Sequence, residues 1–326
     1  MERKIVYIVG APRSGSKLLR EVLNRHPQIV FGTNETEFLP FLLKYQKQHD
    51  LREPQAFARF VEYLELEDYC FYRRLDGFDA PDWPAWFKRL QSATAADAFP
   101  LFLEQELRYP PVSLILGDKS PSYARCLQQI LELSPNSYAI HIVRDPRAQA
   151  GSEKRVFGKA AGVSARRWQR AVECVDAASI SHPGRVQEVR YEDLVDNPEQ
   201  ALAGVCAMLD VAFDKSMTKI DRNLERYRRE QQAPNIRRPP LRAYLDDLSM
   251  SEIREVSRVC EAGMKRYDYV QDAHLVAIDS PGLLRWLAFS SRIRFAVLTL
   301  FRHGPGTLFR KIRLKRARAR IMSGRW

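Results

Sequence analysis

Cysteine is sparse in this 326-residue chain. The five present (Cys70, Cys126, Cys174, Cys206 and Cys260) are odd in number, widely spaced and never paired as Cys-x-x-Cys. That pattern argues against a disulfide framework and a structural zinc site, and it suits a reduced compartment. No stretch of 18 uncharged apolar residues occurs, which removes an ordinary transmembrane helix. The N-terminus, Met-Glu-Arg-Lys, runs straight into a short apolar strand, so neither a signal peptide nor an N-terminal anchor is expected. There is no His-x-x-x-His, no Asp/His cluster and no cysteine pair with ligand spacing, so no metal is expected. Internal repeats are missing too, and no low-complexity segment precedes residue 275.

Acidic residues are nearly absent from one region. The chain carries 52 Lys+Arg against 40 Asp+Glu, a formal net charge of +12. Residues 275–326 hold 12 of those bases and a single acid, Asp279, leaving 40 bases and 39 acids for residues 1–274. The body therefore reads as one near-neutral globular domain, and 275–326 as a basic extension. At 45% hydrophobic and 28% charged, the composition excludes disorder and collagen.

Residues 4–9 (K-I-V-Y-I-V) form a continuous β-branched run bounded by Gly10, as expected of a strand buried on both faces of a parallel sheet. A helix is predicted over 16–25 and a short strand over 28–31. Residues 36–110 are helical and aromatic-rich, with an arrangement the pattern does not resolve. An apolar run at 112–116 ends in Gly117-Asp118, and a helix is predicted over 122–133. Residues 138–143 form another buried strand, after which Asp145-Pro146 supplies an N-cap with proline at the first helical position. A strand at 186–190 and amphipathic helices at 198–209 and 251–264 complete the pattern. Strands alternating with helices imply an α/β fold: a P-loop-NTPase-like parallel sheet with helices on both faces.

The turn after the first strand reads Gly10-Ala-Pro-Arg-Ser-Gly-Ser-Lys17 and opens directly into a helix. Backbone N–H groups converge at such a junction and the helix dipole favours negative charge, so a phosphate or sulfate belongs there. The spacing of Gly10 and Gly15 matches a Walker A loop, but Ser16-Lys17 inverts the Lys-Ser/Thr order that holds Mg²⁺. With 114–118 able to serve as a Walker B strand, a P-loop small-molecule kinase stays open as the second enzymatic reading.

Pro-Arg-Ser-Gly-Ser at 12–16 resembles the 5′-phosphosulfate loop of sulfotransferases that use 3′-phosphoadenosine 5′-phosphosulfate (PAPS), especially the Pro-Arg-Ser-Gly-Thr form of tyrosylprotein and bacterial carbohydrate sulfotransferases. A second match, at 143–152, is similar to that family's 3′-phosphate element, implying that Arg144 and Ser152 hold the 3′-phosphate. A third, at 190–198, resembles its Tyr-Glu-Asp-Leu segment, which sets Tyr191 near the adenine. The resemblance spans residues 4 to about 270. It implies a donor site of Arg13, Ser14, Gly15, Ser16, Lys17, Arg144, Ser152 and Tyr191, with PAPS as co-substrate, PAP (adenosine 3′,5′-bisphosphate) as product, and metal-free in-line transfer to a hydroxyl.

The same resemblance implies catalytic roles for Arg13 at the leaving phosphate, Lys119 at the sulfate oxygens and Glu35 as general base, with Glu37 the alternative because one extra residue follows Gly32. The late 3′-phosphate contact has no Arg-Lys-Gly element to supply it, leaving Arg237, Arg238 and Arg242 as candidates. The acceptor is expected to be a carbohydrate, glycolipid or lipid hydroxyl, with 36–110 shaping its pocket and Phe38, Phe41, Tyr45, Phe71, Tyr72, Trp83 and Trp86 either stacking on it or forming core. A cytoplasmic location fits. In the extension, large apolar side chains interleave with arginine over 283–322. Three readings compete there: an anionic membrane surface, with a peripheral location; helices packed on the body; and nucleic acid, which lacks a recognised module. A membrane- or nucleic-acid-binding module is the non-enzymatic alternative for the chain.

Overall fold

The computed structural model describes residues 3–107, 115–218, 244–269, 306–307 and 309–320. Strand β1 (Lys4–Gly10) needs cover on both faces, and it lies at the centre of a sheet of order β2-β3-β1-β4-β5. Its neighbours are β2 (Ile29–Phe31), β3 (Ile115–Lys119), β4 (Ser137–Val143) and β5 (Val186–Arg190), all paired in parallel. Helix α1 (Ser16–Leu23) follows β1 after a five-residue loop, which gives the expected P-loop-NTPase-like arrangement.

Side chains alternate across β1, so its two faces feed different cores. Val6 and Ile8 pack with Leu19, Val22 and Leu23 of α1 and with Leu202, Val205 and Leu209. Ile5, Tyr7 and Val9 face an aromatic core on the other side. That core is made largely by α2 (Leu39–Tyr45), α3 (Pro54–Leu64), α4 (Asp68–Leu75), α5 (Trp83–Arg89) and α6 (Ala95–Leu107), which are the elements of the helical region the sequence left unresolved. Phe38, Phe41, Tyr45 and Trp86 are buried within it. Phe38, for example, meets Phe102 edge-on at 5.0 Å, so these four are core rather than an aromatic lining.

The remaining helices are α7 (Leu127–Leu133), α8 (Pro146–Phe157), α9 (Ala161–Ser181), α10 (Tyr191–Asp196), α11 (Pro198–Leu209), α12 (Tyr244–Asp247), α13 (Met250–Val259) and α14 (Glu261–Arg266). Asp145 and Asn197 cap α8 and α11 as their positions before proline require, accepting from Arg147 N and Gln200 N. Several sequence expectations shift: the helix predicted over 16–25 ends at Leu23, and the one predicted over 251–264 is divided at Cys260 into α13 and α14. The third strand runs on through Gly117-Asp118 to Lys119, because Gly117 lies flat under Phe31, where a Cβ would stand 2.4 Å from the ring. The helix predicted over 122–133 begins as a 3₁₀ turn, Pro121–Cys126. Residues 112–114, Arg237, Arg238 and Arg242 lie outside the described residues.

Part of the basic extension belongs to the described residues. Residues 309–320 are helical, and Leu314 packs into the aromatic core. Arg318 pairs with Glu67 at 2.5 Å and reaches Tyr63 Oη at 3.1 Å. Arg310 pairs with Asp68 and donates to Leu66 O at 2.6 Å. Packing on the body therefore describes the inner face of this helix, while Phe309, Ile312, Arg313, Lys315 and Arg316 face outward. No helix among the described residues is long and apolar enough to cross a membrane.

Candidate active site

The site lies at the C-terminal ends of β1, β3, β4 and β5, where parallel sheets present their loops. Gly10 is the pivot of the β1–α1 loop, with φ 147° and so little room that a Cβ would stand 2.5 Å from Ile142 O. Arg13 (φ 70°) and Gly15 (φ 99°) are also left-handed, which curls the loop tightly enough for Ser14 N–H to bond back to Ala11 O at 3.3 Å. Helix α1 starts with no side-chain cap and no acid in its first turn. The hydroxyl of Ser14 is fully buried and has no hydrogen-bond partner among the described residues. An orphaned donor beside an uncapped helix N-terminus is what an anionic ligand would complete.

The second predicted element is brought to this loop. Arg13 Nε donates to Ser152 Oγ at 3.1 Å, and Arg144 Nη1 lies 3.4 Å from Arg13 O. The guanidinium of Arg144 stacks 4.4 Å above the Tyr191 ring, which closes against Gly15 so tightly that an added Cβ would stand 2.3 Å from it. Arg13, Ser14, Gly15, Arg144, Ser152 and Tyr191 thus form one cluster from three segments. Ser16 is buried at the start of α1, and Lys17 is half-buried on its first turn. Sequence reading missed the residues that brace this cluster. Gln149 Nε2 donates to Pro12 O at 2.7 Å, and Trp168 Nε1 to Arg144 O at 2.9 Å. Both face backbone carbonyls, a role that no spacing motif announces.

The third predicted group sits on the opposite flank of β1. Lys119, the last residue of β3, pairs with Glu35 from the β2–α2 connection. Glu37 sits behind them: burial first, then the Glu35 charge and a hydrogen bond to Glu35, push its carboxyl up to about 7. Asp118 is buried beneath Lys119 and rises to about 6 through desolvation, against hydrogen bonds with Ser120 and Thr36 that favour its charged form. Thr36 also meets Tyr123 Oη at 2.6 Å, and Tyr123 accepts from Leu39 N at 3.1 Å. The 118–123 segment therefore does more than deliver Lys119: through Asp118, Ser120 and Tyr123 it pins the Glu35–Glu37 strip. From the other end, Arg20 of α1 donates to Gly32 O at 3.4 Å and to Thr33 O. Among the described residues no group of three or more His, Cys, Asp or Glu is placed to hold a metal ion.

The chain is similar in sequence to known proteins. A family model described as "Sulfotransferase family" matches residues 6–215. A Caenorhabditis briggsae relative, provisionally named a protein-tyrosine sulfotransferase, is 23% identical over 274 residues, covering 78% of this chain and 86% of its own. The Drosophila melanogaster protein-tyrosine sulfotransferase is 25% identical over 224 residues, which are 66% of this chain but only 40% of that protein. Among solved structures, the sulfotransferase domain from the Synechococcus PCC 7002 olefin synthase is similar at 22% identity and a TM-score of 0.46, covering 90% of this chain and 94% of its own. The family match takes in the β1–α1 loop, the Glu35–Lys119 pair and the Arg144–Tyr191 stack alike, and the chain belongs to the sulfotransferase family of enzymes.

Proposed function

We propose that the enzyme moves a sulfuryl group from PAPS to an acceptor hydroxyl and releases PAP. The observation that carries this reading is the orphaned Ser14 hydroxyl at the uncapped start of α1, flanked by the Arg13–Ser152 contact and the Arg144–Tyr191 stack. PAPS supplies the activated sulfuryl group when bound. The chain's part is to hold two anionic ends and to manage one proton. Residues 13–17 offer backbone and side-chain donors to the 5′ end, and Arg144 with Ser152 a fork and a hydroxyl to the 3′-phosphate. Tyr191 offers a ring face on the nucleoside side.

A loose, charge-spreading transition state asks for positioning and fixed cations, which Arg13 and Lys119 supply. Glu35 is the proposed base. Its carboxylate is held by Lys119 on one side and by Glu37 on the other, and its side chain is still 38% exposed. The kinase and pure binding-module readings fall with the family assignment.

For the acceptor we keep a carbohydrate, glycolipid or lipid hydroxyl. The names of the relatives add a protein tyrosine as a second class. For the extension, the outward residues of the 309–320 helix support the reading of an anionic membrane surface and a peripheral location on the cytoplasmic side.

Calorimetric titration with PAP tests the donor site: one PAP per chain is expected, weakened in Arg144→Gln, and no binding to the native chain would end the proposal. A screen of sugar, lipid and tyrosine-peptide acceptors with labelled PAPS then separates the acceptor classes. On whichever acceptor responds, Lys119→Met is expected to lose about 100-fold or more in transfer rate while keeping PAP affinity.

A further inference from the structure

Two neighbouring residues hold Arg144, one by its side chain and one by its main chain. Tyr191 lies 4.4 Å from the guanidinium, and Glu192, the next residue of α10, accepts a hydrogen bond from Asp145 N at 3.1 Å through Oε1. That N–H belongs to the peptide group joining Arg144 to Asp145. The carbonyl of the same peptide group is Arg144 O, which accepts from Trp168 Nε1 at 2.9 Å. A peptide group fixed at both its N–H and its C=O is not free to turn about the flanking ψ and φ. The direction in which the Arg144 side chain leaves the backbone is then fixed as well.

The groups that make this clamp are themselves anchored. Tyr269 Oη donates to Glu192 Oε2 at 2.9 Å, so each oxygen of the carboxylate has a donor. Tyr269 and Trp168 are buried in one apolar cluster, where the Tyr267 ring stands 6.3 Å from Trp168 and 6.4 Å from Tyr269. Gly263 of α14 lies against Trp168 so closely that a Cβ would stand 2.5 Å from the indole. Burial pushes the Glu192 carboxyl up, and the hydrogen bonds from Asp145 N–H and Tyr269 oppose that rise. The like charge of Asp145 is met by the Arg147 guanidinium, at 3.0 and 2.7 Å.

We propose that Glu192 and Tyr269 are positioning residues of the donor site: through the 144–145 peptide group they aim Arg144 at the 3′-phosphate, and so set how strongly the site prefers a nucleotide that carries one. The proposal rests on the reading of Arg144 as a 3′-phosphate group. Glu192 is itself an anion; with its oxygens turned to Asp145 N–H and Tyr269 Oη, it serves the backbone and not the phosphate.

The test is calorimetric titration of the full-length chain with PAP and with adenosine 5′-monophosphate (AMP), which lacks the 3′-phosphate and is measured through its competition with PAP. Glu192→Ala takes the acceptor away from Asp145 N–H and is expected to weaken PAP about tenfold, with AMP changing less than about twofold. Glu192→Gln keeps an oxygen for that N–H and should restore most of the PAP affinity. In an Arg144→Gln chain, Glu192→Ala should weaken PAP less than about twofold further, because the group it positions is gone. An equal loss for both nucleotides, or the same loss with and without Arg144, makes Glu192 a residue of the fold alone and overturns the proposal. If Glu192→Ala does not fold, Tyr269→Phe replaces it, with about threefold expected for PAP and no change for AMP. A native chain that never binds PAP ends the donor-site reading, whereas PAP binding that these substitutions leave unmoved, in folded protein, ends the clamp alone.

Discussion

Gly15 carries more of the site than its size suggests. At φ 99° it occupies a conformation that disfavours any side chain, and the Tyr191 ring fills the space where a Cβ would go. Gly15→Ala is expected to push Tyr191 away and with it the Arg144 guanidinium stacked on that ring, weakening PAP binding about tenfold or more, equivalent to roughly 1.4 kcal/mol. Calorimetry measures the effect, and undiminished affinity would refute the idea that Tyr191 and Gly15 close the donor site together. Thr36 and Asp118 make the matching point on the other flank. Neither binds substrate in this reading, yet each has a buried hydrogen bond that fixes where Glu35 and Lys119 meet.

Among the elements, the β4–β5 edge is held by an ionic cluster remote from the chemistry. Burial alone would raise Glu188, but hydrogen bonds from His141, Tyr267 and Arg266 hold its carboxyl down at about 2, tying β4 and β5 to the end of α14. A depressed carboxyl stabilises the fold above its ordinary titration range near 4.5 and loses that contribution as pH falls toward 2. Glu188→Gln is therefore expected to cost up to roughly 3 kcal/mol at pH 7, with the difference from the native chain shrinking from about pH 5 downward. Denaturant unfolding at a series of pH values checks this, and a pH-independent difference would refute it. In this half β4, β5 and α11 and the start of α8 were legible from strand-like runs and from the Asp-Pro and Asn-Pro caps, whereas the sequence reading did not predict α9, which lies between β4 and β5. The 36–107 helices were not: their aromatics pack on one another from five segments, so no single stretch shows which face is core. Within the site, Arg13, Arg144, Ser152 and Tyr191 were named through the resemblance, because each falls in a short contiguous motif that a sequence can match. Gln149, Trp168 and Asp118 act on neighbours far along the chain and leave no local pattern.

At the scale of the molecule, the charge division seen in the sequence becomes two faces of one helix. Arg310 is largely covered and Arg318, though 46% exposed, reaches the buried Glu67, while Arg313, Lys315 and Arg316 are exposed beside Phe309, which is 67% exposed, and Ile312. If the outer face meets anionic lipid, the full-length chain is expected to sediment with anionic vesicles and not with neutral ones. Replacing Arg313, Lys315 and Arg316 with Gln should lower that affinity about 100-fold, at about 1 kcal/mol for each basic residue. Equal sedimentation with both vesicle types would end the membrane reading, and the inner pair of arginines would be unaffected by that outcome.

The order of the strands has one more consequence. Glu35 and Lys119 are carried on the β2–β3 flank of β1, whereas Arg144, Ser152 and Tyr191 are carried on the β4–β5 flank. The two flanks come from separate stretches of chain, 24–126 and 137–196, which meet at the central strand and its loop and again where α9 packs on the 121–126 turn and the aromatic core. The pairing of β4 with β1 and β5 involves no residue of the first stretch, so substitutions on its site-facing loop leave that register in place. A gene built this way can inherit one half of its recognition unchanged while the other half diversifies.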